Sequence, residues 1–404
     1  MRPSQADGLV VIEEEKMVKA FEYSRSEKIK VGFNAVNEIG KIINEIGARK
    51  VLLASGRHVG ETDFFSEIAK LIEEEGIEVV VYKEIENDPT VEAVDKGAEV
   101  LRQYGAEAVV AVGGGSVMDT AKGMCMLQTN CGSIEGYLFG GDKEVDEKGM
   151  PLIAVPTTAG TGSEVTHFTV INNTKKQVKL SVAHPYITPD YAIIDPMLTV
   201  GTSPYITATT GMDALTHAIE SYVSLNATPV SKAFSLEAIT LIGQNLLVAN
   251  GDGNNLEARY NMAVASTIAG MAFDIAGVGA VHGIAQAIGG VVHVSHGMAN
   301  ALMLPHVMLR NLCGDFLGFS QIAQALGENV QGLSLQEGAL KSVSAVETLL
   351  NGLSLPKRLS DSEIGVTKEL FPQIIKETMD YRQLSINPCM LSSKDIEKIL
   401  NQAF

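Results

Sequence analysis

Residues 108–116 read AVVAVGGGS, a short apolar run that ends in three glycines and a serine. Small and β-branched residues without alternation are typical of a strand buried on both faces of a parallel sheet. Helical patterns flank this run, at residues 91–104 before it and from about Ser116 after it. The order helix, strand, glycine turn, helix therefore predicts one unit of an α/β layer.

The same alternation extends outward from this unit through the first half of the chain. Apolar runs predict further strands at residues 50–54, 79–82 and 152–155, and an amphipathic pattern predicts a helix at 63–75. Strands that alternate with helices pair in parallel, and their crossovers are nearly always right-handed. We predict a Rossmann-like parallel sheet covered by helices on both faces.

The second half has few β-branched runs and is rich in Ala, Leu, Met and Gly at helical spacing. This pattern predicts helices at residues 208–223, 232–249, 255–273 and 281–289. The second half is therefore expected to be all-α.

The change from strand–helix alternation to purely helical spacing predicts two domains. An α/β domain is expected at residues 1–199 and an all-α domain at residues 200–404, with the boundary near residues 195–201. A cleft between two domains is the usual place for a ligand. Residues 1–20 are expected to form a flexible extension.

Composition excludes several classes of function. A net charge of −17 over 404 residues is unfavourable for general electrostatic binding of nucleic acid. Apolar runs fall short of the roughly 18–20 residues of a membrane span, and the acidic residues 13–15 follow the initial apolar patch too soon for a secretion signal. The cysteines form no paired motif, so we predict buried small residues in a reducing cytoplasm rather than disulfides. They are Cys125, Cys131, Cys313 and Cys389.

Histidines are enriched in the second half, which holds five of the eight in the chain. Asp213 and His217 are four residues apart in the segment GMDALTHAIE, so on a helix they lie on one face. His282 and His296 are fourteen residues apart, which on one straight helix is about 21 Å. Gly289 and Gly290 lie between them and are predicted to end the helix, so that the chain turns back. Each pair taken alone is equally consistent with a structural helix contact.

Together Asp213, His217, His282 and His296 offer one carboxylate and three imidazoles. That donor set suits Fe(II), with Zn(II) as the alternative, and does not suit Mg or Ca, which prefer oxygen ligands. Such a metal would bind the substrate oxygen and lower the pKa of an alcohol. These four residues are therefore the predicted metal ligands and the predicted catalytic residues.

The glycines that follow the strand at 108–112 are predicted to bind a phosphate group. They allow close approach to the backbone, and a helix N-terminus offers free N–H groups. Ser116 is predicted to cap this helix, with Asp119 in its first turn. The pattern is not GxGxxG, so a simple tight turn remains the alternative.

A second loop of this kind follows the predicted strand at 152–155 and reads PTTAGTGSE. Thr157, Thr158 and Thr161 could donate to a phosphate or a ribose. Lys179 could add a positive charge, although its sequence context alone also fits a solvated surface lysine. Two such loops at strand ends fit a dinucleotide that lies across the sheet edge.

Four motifs now appear in matching order: GGGSxxDxAK, PTTAGTGSE, GxDALxHAxE and HG…HG. With them the chain resembles the iron-containing, or group III, alcohol dehydrogenases from about Phe21 to its C-terminus. The resemblance implies a dehydroquinate-synthase-like fold, hydride transfer between NAD(P) and small alcohols or aldehydes, bound iron and a homo-oligomer. It assigns the metal to Asp213, His217, His282 and His296. It assigns cofactor contacts to Gly114, Gly115, Ser116, Thr157, Thr158, Thr161 and Lys179. Gly56 and Asp119 complete the predicted cofactor-binding residues.

Two positions depart from the family pattern. Many members carry a further histidine four residues after the third ligand, where this chain has Gln286, which neither accepts nor releases a proton. A relay through His293 or water is our hypothesis for its replacement. Many NAD-preferring members carry an Asp after the first strand, where this chain has Gly56 followed by Arg57 and His58. Without that carboxylate we predict that NADP(H) is preferred to NAD(H).

Four other functions are alternatives. A glycerol-dehydrogenase-like zinc enzyme and a hydroxyacid–oxoacid transhydrogenase that retains its cofactor are the nearest. A dehydroquinate synthase would need several Lys and Arg residues around the metal motifs, and a non-enzymatic scaffold would be expected to have lost a ligand. The expected partner is a small alcohol or aldehyde, with neither nucleic acid nor membrane.

Overall fold

The computed structural model describes residues 5–6, 9–10, 20–25, 27–175, 178–292 and 294–404. The predicted extension lies largely outside the described residues, and so does His293. In chain order the strands are β1 (Gln5–Ala6), β2 (Leu9–Val10), β3 (Lys28–Val31), β4 (Lys50–Gly56), β5 (Glu78–Ile85), β6 (Ala108–Gly113), β7 (Leu152–Pro156), β8 (Phe168–Asn173), β9 (Val178–Ala183) and β10 (Tyr191–Ile194).

Longer helices alternate with these strands and then fill the second half of the chain. They are α1 (Ile39–Ile46), α2 (Arg57–Gly60), α3 (Asp63–Glu74), α4 (Val91–Tyr104), α5 (Gly115–Met126), α6 (Pro204–Val223), α7 (Pro229–Gly251), α8 (Leu256–Ala276), α9 (Ala280–Val291), α10 (His296–Asn311), α11 (Phe316–Ala325), α12 (Leu335–Gly352), α13 (Phe371–Met379) and α14 (Ser393–Ala403).

The central sheet has six strands in the order β3-β10-β7-β6-β4-β5, and every neighbouring pair is parallel. Strand β6 is buried along its whole length, as its unbroken apolar run predicts. Side chains alternate between two cores: Val51 and Leu53 join one, while Leu52 and Ala54 join the other. The predicted parallel sheet with helices on both faces is confirmed.

The helical half is organised around α6. Every residue from Gly211 to Val223 on this helix is buried, so it runs through the middle of the domain rather than along its surface. Helices α7, α8 and α10 pack around it and supply most of its apolar neighbours. The predicted all-α second half is confirmed, while the boundary at residues 199 and 200 stays a prediction.

Two smaller pairs of strands are separate from the central sheet and the helical half. Strands β8 and β9 form an antiparallel hairpin separate from the central sheet, and β1 pairs with β2. No single helix among the described residues is long and apolar enough to cross a membrane. The pair α8 and α9 passes that test together but bends by 102° between its members.

Two sequence-based predictions are wrong at the local level. Gly289 and Gly290 do not end the helix, because α9 continues to Val291 and stops where Val292 becomes extended. Glycine permits a turn without forcing one, so both residues stay helical here. The cysteines are not uniformly buried: Cys125 is, but Cys131 and Cys313 are exposed and Cys389 is intermediate.

Candidate active site

Three helices bring the four predicted ligands together. Helix α6 carries Asp213 and His217 one turn apart, α9 carries His282, and His296 is the first residue of α10. One ligand atom from each of Asp213, His217 and His282 lies within 4.8 Å of the others. Asp213 Oδ1 is 4.0 Å from His282 Nε2 and 3.8 Å from His296 Nε2.

The chain reverses between His282 and His296 as predicted, although not at the predicted residues. Helix α10 approaches α6 so closely that a Cβ on Gly297 would lie 2.3 Å from the Thr209 carbonyl oxygen. A glycine directly after His296 is therefore required for the ring to reach Asp213. The imidazole rings of His282 and His296 have centroids 5.3 Å apart.

Asn300 provides the test of whether these residues fit a cation. Its amide nitrogen lies 2.6 Å from Asp213 Oδ1, 3.1 Å from His296 Nε2 and 3.3 Å from His282 Nε2. Three lone pairs from three residues thus converge on one positively polarised N–H₂ group. A donor set of carboxylate and imidazole that converges on one point suits a divalent transition metal.

Glu220 fixes the orientation of His282. Its Oε2 lies 2.6 Å from His282 Nδ1, and the same carboxylate accepts from the backbone N–H groups of Gly279 at 2.9 Å and Val281 at 2.6 Å. A carboxylate on Nδ1 keeps the proton there and leaves Nε2 free to bind a metal. Glu220 stands in the motif GxDALxHAxE but is not among the site residues predicted from the sequence. The available signal was its place seven residues after Asp213, on the same face of one helix.

Loss of hydration keeps the imidazoles of His217 and His296 neutral. Burial lowers the pKa of His217 well below its usual value, and the positive charge that His282 would carry lowers it further. Desolvation first, and then the neighbouring imidazoles, lower the pKa of His296 to about 4. His217 also stacks on Phe273, with ring centroids 4.3 Å apart. Neutral imidazoles are the form that binds metals.

The two predicted phosphate loops lie side by side at the carboxyl ends of β6 and β7. A Cβ on Gly114 would lie 3.3 Å from Thr158 Oγ1, and a Cβ on Gly115 would lie 2.7 Å from Thr161 Cγ2. The backbone N–H of Thr157 donates to the Gly113 carbonyl at 3.0 Å. The glycines are therefore needed where the two loops pack against each other.

The start of α5 differs from the prediction. Gly114 is the N-cap and Gly115 the first helical residue, so Ser116 does not cap the helix and Asp119 lies beyond its first turn. The extended backbone at Gly114 already starts the helix without a side-chain cap. The Ser116 hydroxyl instead accepts from the Asp88 N–H at 3.3 Å.

Asp119 is half-buried and joins α5 to its neighbours. Its carboxylate accepts from Ser163 Oγ at 2.6 Å and from the Val170 N–H at 2.9 Å, and burial raises its pKa. Lys122, which is buried, donates to Ser163 Oγ at 2.9 Å. This network holds the second phosphate loop in place, and a direct cofactor contact by Asp119 stays a prediction.

The remaining predicted cofactor residues lie at the edges of this region. Gly56 is the last residue of β4 and the N-cap of α2. Lys179 lies on β9, and its Nζ is 2.6 Å from Asp88 Oδ1. Its side chain is 22% exposed, so it is not the freely solvated lysine of the alternative interpretation.

Comparison with known proteins gives consistent matches over nearly the whole chain. Residues 26–196 match the family described as iron-containing alcohol dehydrogenase, and residues 207–404 match the C-terminal part of the Fe-containing alcohol dehydrogenase family. The chain is 38% identical over 373 residues to the NAD-dependent methanol dehydrogenase of Bacillus methanolicus, covering 92% of this chain and 97% of that protein. It is 38% identical over 375 residues to the 1,3-propanediol dehydrogenase of Citrobacter freundii, covering 92% and 96%.

Solved structures agree with this match. A crystal structure of a 1,3-propanediol oxidoreductase superimposes with a TM-score of 0.92 at 36% identity, covering 96% of this chain and 100% of that chain. An alcohol dehydrogenase from Oenococcus oeni also gives 0.92, at 31% identity, covering 95% and 100%. The fold, the glycine-rich loops and the histidine cluster together define an oxidoreductase that acts on CH–OH groups. The chain belongs to the iron-containing alcohol dehydrogenase family.

Proposed function

We propose that this protein is a metal-dependent, nicotinamide-linked dehydrogenase that interconverts small alcohols and aldehydes by hydride transfer. The observation that carries the proposal is the cluster of Asp213, His217 and His282, whose ligand atoms lie within 4.8 Å of one another, with His296 Nε2 3.8 Å from Asp213 Oδ1. It lies in the helical half of a chain whose other half presents two glycine-rich loops at strand ends, as a dinucleotide requires.

Each of these groups then has a distinct part in the reaction. The four converging residues hold the metal, and when bound it supplies the Lewis acid that lowers the pKa of an alcohol. Glu220 keeps the His282 proton on Nδ1. The α5 N-terminus, from Gly114 to Ser116, offers backbone N–H groups to a pyrophosphate, with Thr157, Thr158 and Thr161 beside it.

The proton released by the alcohol needs another carrier. The side chain of Gln286 cannot accept it, because an amide does not titrate in this range. The hypothesis that His293 or water serves this purpose stays open to test, since His293 lies outside the described residues.

The proposal also covers which metal and which nicotinamide cofactor the protein uses. We expect iron in the site, with zinc as the alternative, because carboxylate–imidazole sets accept both. We also keep the prediction that NADPH is preferred, on the ground that β4 ends in Gly56 without a carboxylate. The relative from Bacillus methanolicus is named as NAD-dependent, which does not support that preference.

The substrate is proposed to be a short aliphatic alcohol or its aldehyde. Phe273 stacks on His217, so one side of the metal site is an apolar surface. The named relatives act on methanol and 1,3-propanediol, which are alcohols of this size. We also expect a homo-oligomer, as the family resemblance implies, and a cytoplasmic location, because the cysteines form no paired motif.

The test is a hydride-transfer assay on the purified full-length protein. Propanal, butanal and the matching alcohols are supplied with NADH or NADPH, and the nicotinamide absorbance is followed. Turnover with these pairs supports the proposal, and the ratio of kcat/KM for the two cofactors tests the prediction from Gly56. Absence of turnover with every pair would contradict it. Interconversion of a hydroxyacid and an oxoacid without exchange of free cofactor would identify a transhydrogenase instead.

A further inference from the structure

We infer that Gln286 is a positioning residue that ties the β8–β9 hairpin to α9, the helix that carries His282, and so fixes the position of the hairpin against the helical half of the chain. The inference deepens the proposed function and rests on it. It gives a task to a side chain that the reaction itself does not use.

The contact is a hydrogen bond between the two halves of the chain. Gln286 lies one helical turn after His282, and its Nε2 donates to the carbonyl oxygen of Lys179 on β9 at 2.8 Å. Among the described residues, β9 pairs with β8 alone, so one row of its backbone groups has no strand partner within the described part of the chain. The glutamine amide supplies a donor to that row.

The hairpin is anchored at its other side to the predicted phosphate site. The Val170 N–H donates to Asp119 Oδ2 at 2.9 Å, and Thr169 Oγ1 donates to the Asp119 carbonyl at 2.8 Å. Both contacts join β8 to α5. The Asn172 N–H donates to the Pro89 carbonyl at 2.8 Å, which fixes the end of β8 to the loop after β5.

Lys179 continues this connection to the N-terminus of α5. Its Nζ lies 2.6 Å from Asp88 Oδ1, and the Asp88 N–H donates to Ser116 Oγ at 3.3 Å. A continuous series of polar contacts therefore runs from the helix of His282 through Gln286, Lys179 and Asp88 to Ser116. Loss of the first contact removes the hydrogen bond between β9 and α9, while Phe168 at the start of β8 still stacks on Phe273 of α8, with ring centroids 6.3 Å apart.

A glutamine is suited to this task because its amide donates at every pH at which the protein is folded. The expected consequence of removing it concerns cofactor affinity more than the chemical step. One hydrogen bond of this kind corresponds to a change of about threefold to tenfold in an equilibrium constant.

The experiment uses the metal-loaded full-length protein and two variants, Gln286→Leu and Gln286→Glu. Leucine has a similar length and no donor, and a carboxylate has the shape of the amide but repels the Lys179 carbonyl. Gln373→Leu is the matched control, because Gln373 is an exposed helical glutamine whose amide donates within α13, to Glu377. The measurements are NADH and NADPH dissociation constants by fluorescence, kcat and KM, and amide hydrogen exchange of residues 168–173 and 178–183.

Both Gln286 variants are expected to raise the cofactor dissociation constant about threefold to tenfold and to speed amide hydrogen exchange in the hairpin. Their kcat is expected to change less than about twofold, and the Gln373→Leu control is expected to behave as the wild type in every measurement. Unchanged exchange in both variants would overturn the inference. A fall in kcat of a hundredfold at unchanged cofactor affinity would also overturn it, because Gln286 would then act on the reacting atoms. Hydrogen exchange needs no turnover, so a failure of the proposed function is distinguished from a failure of this inference.

Discussion

Glu220 illustrates how single residues set up the site. It is a buried carboxylate with no Lys or Arg partner among the described ion pairs. His282 Nδ1 and the backbone N–H groups at the start of α9 contact it instead. These contacts use the positive end of a helix to stabilise the charge. The same carboxylate therefore positions the helix and sets the tautomer of a metal-binding ring.

We predict that Glu220→Gln weakens metal binding by about 10–100-fold, the usual cost of losing such a partner of a ligand. An amide offers one acceptor oxygen, so either His282 or the Val281 N–H loses its acceptor. Competition with a chelator measures the affinity. Glu237→Gln is the control, because Glu237 is an exposed residue of α7. Equal affinity of E220Q and the wild type would contradict this role.

Gly56 carries the prediction on cofactor choice. We expect Gly56→Asp to lower kcat/KM with NADPH at least tenfold while NADH is little affected, because a carboxylate repels a 2′-phosphate. The substitution is tight but feasible, since a Cβ would lie 3.0 Å from the Ile85 carbonyl and the glycine φ of −80° suits any residue. Kinetics with both cofactors test it. If the wild type already prefers NADH strongly, the prediction fails.

A site residue is predictable from the sequence where it is a metal-ligand type and lies one helical turn from another such residue. Asp213 and His217 were found from one helical turn, and the fold brings them together with His282. Glu220 and Asn300 were missed because their partners lie on other helices. Contacts between helices depend on packing, which the spacing of residues along one helix does not encode.

Close backbone contacts position whole elements around the cofactor loops. Gly162 in the second loop has a φ of +61°, and a Cβ on it would lie 2.5 Å from the Gly270 Cα of α8. In the other direction, a Cβ on Gly270 would lie 2.8 Å from the Gly162 Cα. The loop and the helix therefore meet backbone to backbone, across the two halves of the chain.

We predict that Gly270→Ala destabilises the protein by about 1–3 kcal/mol and weakens cofactor binding, because the added methyl group displaces the loop from α8. Thermal unfolding and cofactor titration measure the two effects. Gly251→Ala at the end of α7 is the control, since a Cβ there meets no described atom within 4 Å. It is expected to be neutral or slightly stabilising. If G270A and the wild type had identical melting temperatures, the close contact between Gly162 and Gly270 would leave room for a methyl group, which would contradict the prediction.

At the scale of elements, the long periodic helices and the buried strands of the parallel sheet match their predictions, whereas the β8–β9 hairpin has no predicted counterpart. The helix at 91–104 was predicted to the residue, as α4, because Thr90 caps its start and Gly105 adopts the left-handed conformation at its end. The β8–β9 hairpin was missed. Its strands are partly exposed and stand outside the parallel sheet, so neither an unbroken apolar run nor a helix alternation marks them.

For the whole molecule, the neutral histidine cluster makes stability depend on pH. The unfolded chain protonates His296 below about pH 6.5, whereas the folded chain does so only near pH 4. The unfolded state thus binds more protons between these values, so stability falls as pH falls through this window. The titration of His296 contributes of order 1 kcal/mol to the free energy of unfolding. The figure is small because the His296 side chain is 43% exposed and water screens part of its interactions.

We predict that metal-free wild type loses more stability than metal-free His296→Gln when the pH is lowered from 7 to 4.5. Glutamine is neutral throughout, so this part of the pH dependence disappears. Chemical denaturation at several pH values measures the difference. Parallel pH curves for the two proteins would contradict a neutral His296.

Metal titration tests the central claim most directly. The protein is stripped with a chelator and titrated anaerobically with Fe(II), while bound metal and nicotinamide oxidation with butanal are followed together. We predict that activity is lost on stripping and returns in proportion to metal, saturating at about one equivalent per chain, and that Asp213→Asn with His217→Gln recovers neither. Full activity of the stripped protein, or metal uptake by the double variant equal to the wild type, would contradict the assignment of these residues.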